Sequence, residues 1–143
     1  MIVGNQEGVD TINQKLWKKA INDDNVIILD SKQDVEKYYA AMDVLILPSY
    51  REGFGNVVIE AAAMGIPAII TDIPGPTDAI EYAKTGITVK TRNSEDLLEK
   101  MNLVIKNSPF KPAYYCSNYA KNHFDSSVLN EYILERKQYL LNN

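Results

Sequence analysis

Two glutamates, Glu52 and Glu60, bracket the glycines Gly53 and Gly55 in the stretch from Pro48 to Thr71. Paired carboxylates suggest an acid and a base at one bond, a task that sets them about 5–10 Å apart. Eight residues of helix already span about 12 Å, and a partly extended stretch spans more. The spacing therefore favours two separate tasks along one elongated ligand. Glu60 can accept from both hydroxyls of a ribose, and Glu52 from the hydroxyls of a sugar further along. Between them the glycines allow backbone conformations closed to other residues and a close ligand approach. If a helix starts here, the N–H groups of Gly55, Asn56 and Val57 have no intrahelical partner, and the helix dipole favours a diphosphate. On spacing alone, a solvated surface pair beside a tight turn remains the commoner explanation.

The elements that would position these residues follow from the hydrophobic pattern. Val26-Ile27-Ile28-Leu29, Val44-Leu45-Ile46-Leu47 and Ala68-Ile69-Ile70-Thr71 are short and apolar, as strands covered on both faces are. Ile87-Thr88-Val89, after Gly86, is a weaker strand candidate. Helices are predicted over Thr11–Asn22, with Ile12, Leu16, Lys19 and Ala20 on one stripe, and around Val35, Tyr38, Tyr39 and Met42. A third, Asn56–Met64, stops at Gly65 and Pro67. A fourth, Ser94–Lys106, is capped by Asn93 and carries Leu97, Leu98, Met101 and Ile105 as its inner face. Helices over Ala113–Asn122 and Ser126–Leu141 follow, with Asp125 as the cap between them. This alternation predicts an α/β fold, a Rossmann-like parallel sheet with helices on both faces. Residues 1–143 are expected to form a single domain, with 113–143 as its C-terminal helices. Ligands of such sheets bind beyond the carboxyl ends of the strands, where the Glu52–Glu60 stretch lies.

Composition excludes several classes. The net charge of −4 does not suit nucleic-acid binding. The lone Cys116 cannot form an internal disulfide, which fits a reducing compartment, and is expected to be a partly buried small apolar residue. No stretch approaches the roughly 20 apolar residues of a membrane span. Gly4-Asn5-Gln6-Glu7-Gly8 lacks the glycine spacing of a dinucleotide turn. His123 is expected at the surface. Tyr114, Tyr115 and Tyr119 are expected to pack a core or an interdomain face.

Taken together, Pro48-Ser49, Glu52-Gly53-Phe54-Gly55, Glu60-Ala61, Gly65-Ile66-Pro67 and Pro74-Gly75 resemble the signature of glycosyltransferase family 4, the glycosyl transferases group 1. Asp34-Val35 and Ala41-Met42-Asp43-Val44 resemble its lead-in. The resemblance implies the C-terminal, nucleotide-sugar-binding domain of a two-Rossmann-domain (GT-B) enzyme that retains anomeric configuration. It implies that Glu52 lies by the donor sugar at the reaction centre. Gly53, Phe54, Gly55 and Asn56 would face the sugar and diphosphate, Val57 would begin the helix, and Glu60 would bind the ribose. Val35, with Lys32 to Asp34, would lie near the base, although Asp30-Ser31 stands where the family often has glycine. The Tyr50–Thr77 stretch resembles capsular and cell-surface polysaccharide transferases, which implies a UDP-sugar donor, no metal and no other cofactor.

Met1-Ile2-Val3-Gly4 aligns with the family's second strand. The family's first strand, the Arg and Lys after it and the acceptor-binding N-terminal domain are therefore not matched. The expected partners are a nucleotide sugar and, through that other domain, a glycan or lipid-linked acceptor. The isolated chain is expected to be inactive and to self-associate or repack. The expected location is cytoplasmic, peripheral at the inner face of the membrane for a full-length enzyme. The alternative is a non-catalytic sugar-nucleotide-binding or docking subunit of a split transferase.

Overall fold

The computed structural model describes residues 1–4, 13–31 and 33–142. The Gly4–Gly8 turn beyond Gly4, the start of the first predicted helix at Thr11 and Ile12, and Lys32 lie outside the described residues. The chain divides into two compact units, Met1–Val35 and Glu36–Asn143. Its strands are all parallel, as expected, but they form two sheets, one in each unit.

In the first unit, β1 (Ile2–Val3) pairs with β2 (Ile28–Leu29). Helix α1 (Gln14–Ile21) lies between them in sequence. Asn13 caps it, its side-chain oxygen accepting from the backbone N–H of Lys15 and Leu16 at 3.0 and 3.3 Å. The predicted inner stripe is only partly found. Ala20 and Trp17 are half-buried, whereas Leu16 is exposed. A pair of two-residue strands offers too little surface to cover a full helical face.

The second unit holds the packed core. Helix α2 (Glu36–Tyr39) is a single turn, shorter than the apolar stripe predicts. Strands β3 (Leu45–Leu47), β4 (Ala68–Thr71) and β5 (Gly86–Val89) lie in the order β3-β4-β5. The weakly predicted β5 pairs along the whole of β4, from Ala68 opposite Gly86 to Thr71 opposite Val89.

All four β4 residues are buried, and their alternation splits the core in two. Ala68 and Ile70 pack with Val58, Ala79 and Ile80 on one face. Ile69 packs with Ile87 and Val89 on the other. The first face is covered by α3 (Asn56–Ala63), the second by α4 (Ser94–Lys106). Each fully buried isoleucine contributes about 1.5–3 kcal/mol by area.

The inner face of α4 differs from the predicted one. Leu97, Met101 and Val104 face the sheet, while Leu98 and Ile105 are 58% and 78% exposed. Six apolar residues circle this helix, Leu103 among the exposed ones, and one face of a three-stranded sheet accommodates only one stripe. Asn93 caps it as expected, accepting from the Asp96 N–H at 2.9 Å.

Helix α3 ends in a Schellman arrangement. The N–H of Ile66 donates to the Ala61 carbonyl and that of Gly65, at φ +82°, to the Ala62 carbonyl. A Cβ on Gly65 would lie 2.9 Å from that of Ala113, so the glycine also admits the start of α5 (Ala113–Phe124). Cys116 is fully buried on α5, and burial pushes its thiol pKa up. Asp125 separates α5 from α6 (Ser126–Asn142), accepting from the Ser127 N–H at 2.9 Å.

Candidate functional site

The loop leaving β3 runs from Pro48 to Gly55 and delivers the chain into α3. Gly55 is the N-cap of that helix, at φ +81°. It has no side chain with which to cap the first amides, so the helix opens on bare N–H groups. This is the arrangement that favours an anion.

Two further contacts fix this turn, and neither was anticipated from the sequence. A Cβ on Gly75, at φ +95°, would fall 1.8 Å from the carbonyl oxygen of Gly53. A Cβ on Gly55 would come within 3.3 Å of Pro76. The turn after β3 and the turn after β4 are therefore pressed backbone to backbone. The buried Thr71 reinforces this, its hydroxyl donating to the Leu47 carbonyl at 3.3 Å. Pro74-Gly75 is visible in the sequence as a motif, but the contact it makes is not.

Each glutamate accepts from one hydroxyl. Glu52, half-buried, accepts at Oε1 from Ser49 Oγ at 2.6 Å. Glu60, exposed on α3, accepts at Oε2 from the Tyr39 hydroxyl at 2.8 Å. A carboxylate has about four acceptor positions, so one bond leaves others for a ligand. The sequence pattern places Tyr39 on an apolar stripe, and nothing nearby in sequence marks its partner.

Phe54, 43% exposed at the apex of the turn, meets Phe124 edge to face at 5.8 Å. Phe124 in turn meets Tyr119 at 5.8 Å. His123 is exposed, stacked on Tyr119 at 4.4 Å, in accord with the surface position expected of it. Tyr115 packs as a structural residue, donating to Glu81 at 2.7 Å. Arg92, in a left-handed conformation at φ +56°, lies 5.4 Å from the ring of Tyr50. One loop and one helix thus bring together Glu52, Gly53, Phe54, Gly55, Asn56, Val57 and Glu60. Val35 is half-buried in the first unit, its N–H donating to the Gln33 carbonyl at 3.0 Å.

A parallel sheet and a helix that leaves its carboxyl end with no side-chain cap at Gly55, between two carboxylates, define an α/β fold of the kind that carries its ligands at this end of the strands. The chain belongs to the glycosyl transferases group 1 family, whose model matches residues 1–123. It is 27% identical over 133 residues to the capsular polysaccharide biosynthesis glycosyltransferase CapM of Staphylococcus aureus, covering 92% of this chain and 35% of CapM. It is 31% identical over 120 residues to the N,N'-diacetylbacillosaminyl-diphospho-undecaprenol alpha-1,3-N-acetylgalactosaminyltransferase of Campylobacter jejuni, covering 84% of this chain and 31% of that protein. Among solved structures, Alr3699/HepE of Anabaena in complex with UDP-glucose superimposes with a TM-score of 0.76 at 25% identity, over 96% of this chain and 40% of HepE. The chain spans about a third of the length of the curated relatives it matches. No helix among the described residues is long and apolar enough to cross a membrane.

Proposed function

We propose that this chain is the nucleotide-sugar-binding domain of a retaining family 4 glycosyltransferase, and that its donor is a UDP-sugar. The observation that carries this is the uncapped N-terminus of α3 at Gly55, with Glu52 before it and Glu60 on it. The diphosphate sits on the amides of Gly55, Asn56 and Val57. Glu60 accepts from the ribose hydroxyls, and Gly53 and Phe54 line the approach to the sugar. Glu52 is the catalytic residue of this chain, holding the donor sugar at the reacting carbon. Support comes from HepE, solved with UDP-glucose, and from CapM and the Campylobacter enzyme, both named as glycosyltransferases.

In this scheme the C1–oxygen bond of the donor lengthens toward the diphosphate, and the sugar takes on oxocarbenium character. Preorganised N–H donors facing the departing diphosphate lower the barrier, because they need no reorientation as charge develops. The acceptor, a glycan or lipid-linked sugar held by parts of the enzyme other than these residues, attacks through a hydroxyl from the face the diphosphate leaves, and its proton passes to the departing diphosphate oxygen. The enzyme works in the cytoplasm, at the inner face of the membrane where a lipid-linked acceptor is presented. Isolated, the chain self-associates and does not turn over.

Titration with UDP, GDP and ADP, followed by amide NMR, tests the site. UDP is expected to shift Gly53 to Glu60, and Glu60→Ala to abolish those shifts. Even millimolar binding, about 4 kcal/mol, is readable in this way. Absence of shifts with every nucleotide overturns the proposal.

A further inference from the structure

Helix α2 buries a single side chain, Tyr39, which is 6% exposed. Its ring lies inside the second unit while its hydroxyl reaches Glu60 Oε2 at 2.8 Å. A buried tyrosine hydroxyl needs a partner, and a bond to a charged acceptor is stronger than one between neutral groups. The partner is an exposed glutamate on the outer side of α3, a side chain that otherwise samples several rotamers at a cost to any ligand that must immobilise it.

We propose that Tyr39 is the positioning residue for Glu60, holding its carboxylate in one rotamer so that the remaining lone pairs meet the two hydroxyls of a ribose. The inference rests on the nucleotide-sugar function proposed above and adds to it a specificity device for ribose over deoxyribose. Burial, and then the bond to Glu60, push the Tyr39 pKa far above the usual tyrosine range, so the phenol remains a proton donor at every working pH. The donor is also rigid. Met42 N–H donates to the Tyr39 carbonyl and Ala40 N–H to the Glu36 carbonyl, both at 2.9 Å, so the ring is anchored through a hydrogen-bonded turn.

The experiment compares UDP with 2′-deoxy-UDP on the wild type, Tyr39→Phe and Glu60→Gln. Tyr39→Phe keeps the buried ring and removes only the hydroxyl. Amide shifts of β4 and β5 confirm that each variant is folded. The wild type is expected to prefer UDP. Tyr39→Phe should weaken UDP roughly three- to tenfold and 2′-deoxy-UDP, which keeps only the 3′ hydroxyl, by a smaller factor, so that the preference shrinks toward that of Glu60→Gln. An undiminished preference in Tyr39→Phe overturns the proposal, as does equal weakening of both ligands, which is what a purely structural tyrosine would give. A wild type that binds neither ligand, or binds both alike, overturns instead the ribose role of Glu60 and the positioning role with it. A ligand-free measurement separates that case from a missing contact. With the Tyr39 ring labelled at Cζ, its resonance at neutral pH should move in Glu60→Gln, where the hydroxyl loses its charged acceptor, and an unmoved resonance means that the Tyr39–Glu60 contact is absent.

Discussion

Glu52 accepts from Ser49, three residues back in its own turn, whereas Glu60 accepts from Tyr39, twenty-one residues back and on another helix. The first arrangement is local and forms wherever the Pro48–Gly55 turn forms. The second exists only once α2 has docked where its buried ring can reach α3. Two side chains of one type are thus held differently, Glu52 in the turn by chain geometry and Glu60 on α3 by tertiary packing. The sugar end of the site should accordingly tolerate loosening of the fold better than the ribose end.

The most severe way to break this contrast is Gly75→Ala. The added Cβ cannot coexist with the Gly53 carbonyl, and φ +95° is itself unfavourable for alanine. A loss of about 2–4 kcal/mol in thermal unfolding is expected, with UDP-induced shifts disappearing at Gly53–Gly55 before those at Glu60. Phe124→Ala comes next. It removes the ring against which Phe54 packs, at a cost of about 1–3 kcal/mol, and amide exchange should quicken at 53–56 while β4 stays protected.

The legibility of the chain follows the same division. Strand β4, the Asn93 cap and the Gly65 helix stop were all readable, because each is decided by a few adjacent residues. The exposure of Leu98 and Ile105 was not, since the sheet chooses among several apolar stripes on α4. Within the candidate site, the carboxylates and glycines stood out by type and spacing. Their supports, Tyr39, Gly75 and Phe124, act across 20 or more residues and left no local trace.

Smaller effects sharpen the comparison. Ser49→Ala should cost about 1 kcal/mol in binding of UDP-glucose and almost nothing in binding of UDP, because only the sugar end loses its support. Isothermal titration with the two ligands gives the difference directly. Glu81 provides a control outside both regions. The ammonium of Lys84, and then the Tyr115 hydroxyl, hold its carboxyl below the ordinary glutamate value. In the acid range the unfolded chain binds the extra proton, so this contribution is present above the unfolded pKa of about 4.3 and lost as pH falls through the native one. Glu81→Gln should slightly flatten the acid limb of the stability–pH curve and leave both ligand affinities untouched.

The contact between Gly75 and Gly53 also bears on how this architecture can be reused. Two backbones that meet without room for a methyl group behave as one object, although twenty-one residues separate them in the chain. A protein engineer who transplants residues 48–65 onto another parallel sheet carries over the glutamates and glycines but leaves behind the surface that shapes them. The transferable cassette is the pair of neighbouring turns, 48–65 together with 71–79, and any length change in one requires redesign of the other.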